Sequence, residues 1–205
     1  MLPYQNFVIL FSAPSGAGKS TLVNMLLEKD KTAKLSVSAT TRAKRDGEID
    51  GVHYHFLTKE QYKEKVANDE FFEYAEVFGN HYGTLQKPVE DMLAKGTDVI
   101  FDIDWQGAQE TSKKLDKTKL LKIFILPPSV EELSKRLHGR GKDSEEIIKG
   151  RMEKAKSEIS HYNEFDYVVI NDDLDTAFKE IRAIIDAKRI ENAKDLDGFV
   201  REMVK

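Results

Sequence analysis

SAPSGAGKST, residues 12–21, almost spells the phosphate-binding pattern G-x-x-x-x-G-K-[ST]; only the first glycine position departs, holding Ala13. Such a loop works through its backbone. Successive N–H groups turn inward on a polyanion, and the following helix aims its positive N-terminal end at the same point. The pattern therefore needs a strand before it and a helix after it. Upstream, FVILFSA (residues 7–13) is an apolar run long enough for one buried strand. Downstream, Leu22, Met25 and Leu26 stand at i, i+3 and i+4, the spacing of a core-facing helical stripe. Gly16 and Gly18 permit close backbone approach, Lys19 can reach the terminal phosphates, and Ser20 can place its hydroxyl on Mg²⁺. Ala13 is tolerable if the chain leaves the strand with negative φ, and Pro14 already biases it to an extended conformation. A chance glycine-rich turn would have no reason to carry both flanks.

At 205 residues the chain reads as one domain with room for inserted lobes. Its 36 acidic and 32 basic residues give a net charge of −4 and no basic tail, against the profile of a general nucleic-acid binder. The longest apolar run is about seven residues, against roughly 20 for a bilayer span, so no membrane association is expected. There is no cysteine, hence no disulfide and no thiolate metal site. A cytoplasmic protein is the expectation, and a homo-oligomer is compatible with it.

Helical and strand patterns alternate along the chain. Strands are expected at 34–38, 54–57 and 71–78, then in TDVIFDID, LLKIFILPPS and DYVVIN. Helices are expected at 58–68, 89–95 and 144–162, after a Ser129/Glu132 capping box, and towards the C-terminus. This order implies an α/β fold with a parallel sheet flanked by helices. VIFD supplies Asp102 at a strand end, where an acid could hold Mg²⁺. Asp104 falls on the same side if the strand continues. Arg136 and Arg140 bracket a helix end, Arg140 lying within HGRGKD and Arg151 in the next helix, and a glycine-flanked arginine suits a closing lid that stabilises a transferring phosphoryl group.

The region between the second strand and VIFDID is too long for a simple crossover and should be an inserted lobe. It carries Ser38, Arg42, Arg45, Tyr54, Glu73, Tyr82 and Thr84. Two arginines and two tyrosines are donors suited to a dianionic monophosphate. Glu73 shares strand parity with Phe71, Ala75 and Val77, while Glu76 sits among Phe72, Tyr74 and Phe78; parity leaves open which face is buried.

Taken together, SAPSGAGKST, SVSATTRAKRDGEIDGVHY, FFEYAEVFGNHYGT and FDIDWQGA resemble the guanylate kinase family over about residues 7–175. The resemblance implies a P-loop core (1–35, 98–126 and 164–205), a GMP-binding lobe (36–97) and a lid region (127–163), using ATP, GMP and Mg²⁺. It implies that Ala13, Pro14, Ser15, Gly16, Ala17, Gly18, Lys19, Ser20 and Thr21 hold ATP, with Asn171 on the adenine side. Arg42, Arg45, Tyr54 and Tyr82 would hold the GMP phosphate, and Ser38, Glu73, Thr84 and Asp104 would read guanine. Lys19, Arg136, Arg140 and Arg151 would serve the ATP phosphates and the transferred group.

Other readings fit less of the chain. His53 and His55 share a face but have no further ligand at metal spacing. Trp105 is expected to pack rather than stack on a base. A non-catalytic guanylate-kinase-like interaction module typically lacks a working phosphate loop, and a GTP-hydrolysing switch would leave the arginine–tyrosine cluster without a purpose. Another monophosphate kinase is opposed by Ser38, Glu73 and Asp104.

Overall fold

The structure is a computed structural model and describes residues 4–77, 79–138, 145–193 and 196–204. The apolar run before the glycine loop forms β1 (Val8–Ser12), buried at every position. The stripe after it forms α1 (Lys19–Lys29), which buries Leu22, Val23 and Leu26. β2 (Ala33–Leu35) is shorter than expected, so Ser38 lies beyond its end. The two-residue strands β3 (Ala39–Thr40) and β4 (His55–Phe56) flank the polar loop. A reciprocal capping box between Thr58 and Gln61 starts α2 (Lys59–Ala67). β5 (Phe71–Val77), β6 (Asn80–Leu85) and α3 (Gln86–Ala94) follow. Next come β7 (Asp98–Asp102), α4 (Trp105–Lys114) and β8 (Leu120–Leu126). The chain continues through α5 (Val130–His138), α6 (Glu145–Ile159), β9 (Tyr167–Ile170), α7 (Leu174–Glu191) and α8 (Leu196–Met203). At the start of α5, Ser129 Oγ accepts from Glu132 N, while the Glu132 carboxylate accepts from Arg136.

β2, β7, β1, β8 and β9 lie in that order in one sheet, every pairing parallel. Period-two alternation sends Phe7, Ile9 and Phe11 to one face, against Leu22, Leu26, Phe178 and Ile181. Val8 and Leu10 go to the other, with Val99, Phe101, Phe124 and Phe165. Burial on both faces is why these strands read as unbroken apolar runs. A second sheet, β4-β3-β6-β5, is mixed: β3 runs parallel to β4 and antiparallel to β6.

The end of the first sheet remote from the glycine loop is tied by charge. Asp98, fully buried, accepts from Arg189 Nε and Nη2 at 2.9 and 2.8 Å, from Tyr4 Oη at 2.9 Å and from Asn6 Nδ2 at 2.9 Å. Arg189 also meets Asp30, which Arg182 and Thr32 flank. Beside this cluster, Tyr4 and Ala193 form an antiparallel bridge, and Gln5 N donates to Asn192 O. Removing one partner strands a buried charge, so Arg189→Met should cost about 3–5 kcal/mol, read as a lowered urea midpoint. Burial alone would raise the Asp30 carboxyl, but the Thr32 hydroxyl and amide and the Arg189 guanidinium outweigh it and hold it at about 2. A depressed carboxyl stabilises the fold above its unfolded value and ceases to as pH falls through the folded one. Acid unfolding between about pH 4 and the folded value should therefore be shallower in Asp30→Asn.

Candidate active site

The glycine loop leaves β1 at the C-terminal edge of the sheet and runs straight into α1. Gly16 and Gly18 both sit at φ +95°. Among the described non-glycine residues only Asp69 has positive φ, so Ala13 makes the first turn without left-handed backbone. Asn171, expected on the adenine side, is buried and donates from Nδ2 to Ala17 O at 2.8 Å, bracing the loop from below. Its own carbonyl accepts from Arg136 Nη2 at 3.1 Å. A Cβ on Gly18 would lie 2.2 Å from Asn171 Nδ2. Gly18→Ala should therefore displace the loop and lower kcat/KM for ATP by on the order of 10²-fold, with guanosine affinity unchanged in a competition assay.

Lys19, in the first turn of α1, pairs with Asp102 at the end of β7 and donates to Ile103 O at 3.2 Å. Parallel pairing sets this geometry, because Phe11 lies opposite Asp102. Ser20 is exposed at the same helix start. Ser15 N donates to Glu158 Oε2 of α6 at 3.3 Å, bringing a carboxylate to the loop's mouth. Arg151 lies two turns earlier on α6, half-buried. Arg140 lies outside the described residues.

β7 ends at Asp102, so Asp104 is not placed by a continuing strand. It is instead the N-cap of α4, accepting from Gly107 N at 2.9 Å. The expected parity of Glu73 with Phe71 also fails, while that with Ala75 and Val77 holds. A bulge between Phe71 and Glu73 resets the alternation. Phe71 turns to Tyr62 and Tyr74, whereas Glu73 faces Gly107, where an added Cβ would lie 3.3 Å from its Cγ and Oε2. Thr84, fully buried and opposite Glu73 in register, donates from Oγ1 to Glu73 Oε1 at 2.7 Å. Burial pushes the Glu73 carboxyl up, the Thr84 hydrogen bond opposes this, and the Asp104 charge adds to it.

A cleft of about 410 Å³ opens between β5 and α4, lined by Phe72, Glu73, Asp104, Trp105 and Gly107. A second, about 270 Å³, runs along residues 13–21 except 17 and is bounded by Asp104 and Glu158. Asp104 borders both. On the second sheet, where Tyr82 pairs with Ala75 of the first cleft's wall, Tyr54 and Tyr82 meet edge to face at 6.1 Å, and the Arg42 guanidinium stands 5.3 Å from the Tyr54 ring centre. Arg45 is exposed, and Ser38 O accepts from His55 N. Trp105 stacks on His161 at 3.5 Å and 8°, so its packing partner is an imidazole. No group of three or more acidic, histidine or cysteine side chains among the described residues could cage a metal.

The family model described as guanylate kinase matches residues 4–188. The chain belongs to the guanylate kinase family. As a guanylate kinase it is an enzyme and a nucleotide-binding phosphotransferase. The guanylate kinase of Pseudoalteromonas translucida (strain TAC 125) is 54% identical over 183 residues, 89% of this chain and 88% of that one. That of Agrobacterium fabrum (strain C58 / ATCC 33970) is 48% identical over 203 residues, 98% and 92% respectively. The crystal structure of guanylate kinase from Anaplasma phagocytophilum superposes with a TM-score of 0.73 at 35% identity, covering 99% of this chain and 95% of that one. The family's parallel α/β sheet flanked by helices is the fold described above. No helix among the described residues is long and apolar enough to cross a membrane.

Two carboxylates, Glu158 at the phosphate-loop cleft and Glu48 on the Arg42 guanidinium, are absent from the residues singled out in the sequence. Glu158 follows Arg151 by seven residues, two helical turns along one face, which was the available signal.

Proposed function

We propose that this guanylate kinase transfers the γ-phosphoryl group of ATP to GMP, and to dGMP, in the cytoplasm. The observation that carries the reading is Asp104, which borders the phosphate-loop cleft on one side and faces Glu73 across the other. A donor polyphosphate and a guanine base would thus meet at one helix N-terminus. The proposed division has a GMP lobe over 36–97, a lid over 127–163, and a core made of 1–35, 98–126 and 164–205.

In this reading the loop from Ala13 to Thr21 receives the ATP phosphates, and Asn171 holds it in shape from beneath. Arg42, Arg45, Tyr54 and Tyr82 take the acceptor phosphate; Ser38, Glu73, Thr84 and Asp104 take the base. A GMP phosphate oxygen attacks the γ-phosphorus in line while the bond to the β–γ bridging oxygen breaks, leaving ADP and GDP. The acceptor is already anionic near neutral pH, so no strong base is needed. The obstacle is repulsion between polyanions, which Lys19 and Arg136, Arg140 and Arg151 offset electrostatically. Polyphosphate binding exchanges partners: Lys19 leaves Asp102 for phosphate oxygens, and Ser15 N–H leaves Glu158. Hard oxygens at Ser20 and Asp102, without an all-protein cage, suit Mg²⁺, which takes few protein ligands beside phosphate and water. When bound it would neutralise phosphate charge.

The test is ADP formation in Mg²⁺ and ATP with GMP, AMP or no acceptor. Turnover with GMP alone supports the reading. Equal turnover with AMP would overturn the guanine-reading residues, and ADP without any acceptor would make the protein an ATPase.

A further inference from the structure

The Arg42 guanidinium has five N–H donors in a rigid plane, and three are engaged within the chain. Nη1 donates to Ala43 O at 2.8 Å and to Glu48 Oε2 at 3.0 Å; Nη2 donates to Glu48 Oε1 at 2.7 Å. Glu48 therefore grips the outer edge of the fork with both oxygens, the strong bidentate geometry. The two donors left, on Nε and the far side of Nη2, form the other edge. The Tyr82 hydroxyl is a further hydrogen-bonding neighbour of that guanidinium, and the Tyr54 and Phe56 rings flank it at 5.3 and 5.8 Å. A planar cation held at one edge and flanked by rings has little freedom left to spend when an anion binds.

Glu48 also shapes the loop on which both arginines stand. Its N–H donates to Arg45 O at 3.1 Å, and its Oε2 accepts from Arg45 N at 2.7 Å. The tight turn so closed passes through Gly47 at φ +84°. The Arg42 hydrogen bonds and the Arg45 amide hold the Glu48 carboxyl at about 2, so it stays an acceptor wherever a monophosphate is dianionic.

We propose that Glu48 is a positioning residue for the acceptor nucleotide: it fixes Arg42 so that the Nε–Nη2 edge meets the phosphate of GMP. This rests on the proposed role of Arg42 as a phosphate clamp. The opposite effect is physically available, because Glu48 could compete with the incoming phosphate for the same cation. The sign of one measurement separates them.

Steady-state kinetics on the full chain would compare Glu48→Gln, Glu48→Asp, Arg42→Met and the Glu48→Gln/Arg42→Met double variant, with guanosine as a competitive probe lacking the phosphate. Glu48→Gln should raise KM for GMP about 10-fold and leave KM for ATP and the guanosine inhibition constant unchanged. Glu48→Asp, which keeps the charge but shortens the reach, should behave alike. In the Arg42→Met background Glu48→Gln should add nothing. A lowered or unchanged KM for GMP in Glu48→Gln overturns the proposal, as does full activity in Glu48→Asp. A parallel loss of guanosine affinity would mean that Glu48 merely maintains the loop. An undiminished effect in the Arg42→Met background would mean it acts elsewhere. If Arg42→Met itself leaves KM for GMP unchanged, the clamp reading of Arg42 falls, and the role of Glu48 with it.

Discussion

Lys19→Met should lower kcat by about 10³-fold at saturating GMP and ATP, the scale set by losing one preorganised charge on a developing transition state. Its ammonium starts from the first turn of α1, beside the N-terminal partial charge of that helix, and stands between Asp102 and the Ile103 carbonyl. Lys19 is the one cationic side chain among the described residues lining the phosphate-loop cleft. The fold should survive, since Lys19 and Asp102 are both partly exposed and water can rehydrate the acid left behind. The measurement is kcat together with a thermal melt. A melting temperature near that of the parent with kcat intact would remove Lys19 from the chemistry. Lost turnover accompanied by unfolding would make it a structural residue.

The second large effect concerns Glu73. Guanine presents N1–H and a 2-amino group as donors, whereas adenine offers an acceptor at N1 and has no 2-amino group. A carboxylate anchored by Thr84 can accept from the first and is left unmatched by the second. Sites of this kind separate substrates by roughly 10⁴-fold. Glu73→Gln should lower kcat/KM for GMP by a factor approaching that, with little change for AMP. An unaltered GMP-to-AMP ratio would exclude Glu73 from base recognition.

Stability should move the other way. Burial raises this carboxyl above its ordinary value, so the unfolded chain ionises more easily than the folded one. The folded state therefore loses stability as pH rises from the unfolded value through the folded one. At neutral pH the glutamate is a cost that glutamine removes, and Glu73→Gln should be at least as stable as the parent. The same shift makes GMP turnover fall on the acid side at a higher pH than an ordinary glutamate would give. A less active but no less stable variant is the signature of a residue kept for function.

Features contained in one continuous stretch were legible in the sequence. The glycine loop declares its strand, its turn and its helix within about twenty residues, and each obeys a local rule. β1 and β8 were equally plain, because burial on both faces keeps them almost wholly apolar, Lys122 being the one charge within β8. Glu73 and Asp104 were found as residues but not as geometry. The period-two rule assigns Glu73 to the side of Phe71 only in an unbroken strand, and a bulge leaves no mark in composition. Asp104 followed Asp102 at strand spacing, yet it begins a helix. What stayed hidden depends on distant pairing. Glu158 meets Ser15 across 143 positions, and Arg189 meets Asp98 across 91. Neither carries a local signature.

That last pairing bears on how the chain can be made. A ribosome releases a polypeptide from its N-terminus, and Asp98 emerges 91 residues before Arg189. By then Tyr4 and Asn6 are available to it, but its only cationic partner among the described residues belongs to the end of α7. An unneutralised acid cannot be sealed beneath β7 at tolerable cost. The sheet's remote edge must therefore stay open, or close only transiently, until about residue 193 has cleared the exit tunnel and can dock on Tyr4. Closure of that edge thus waits on synthesis of α7, and a chain ended before Arg189 would carry an unsatisfied charge rather than pass as a finished fold.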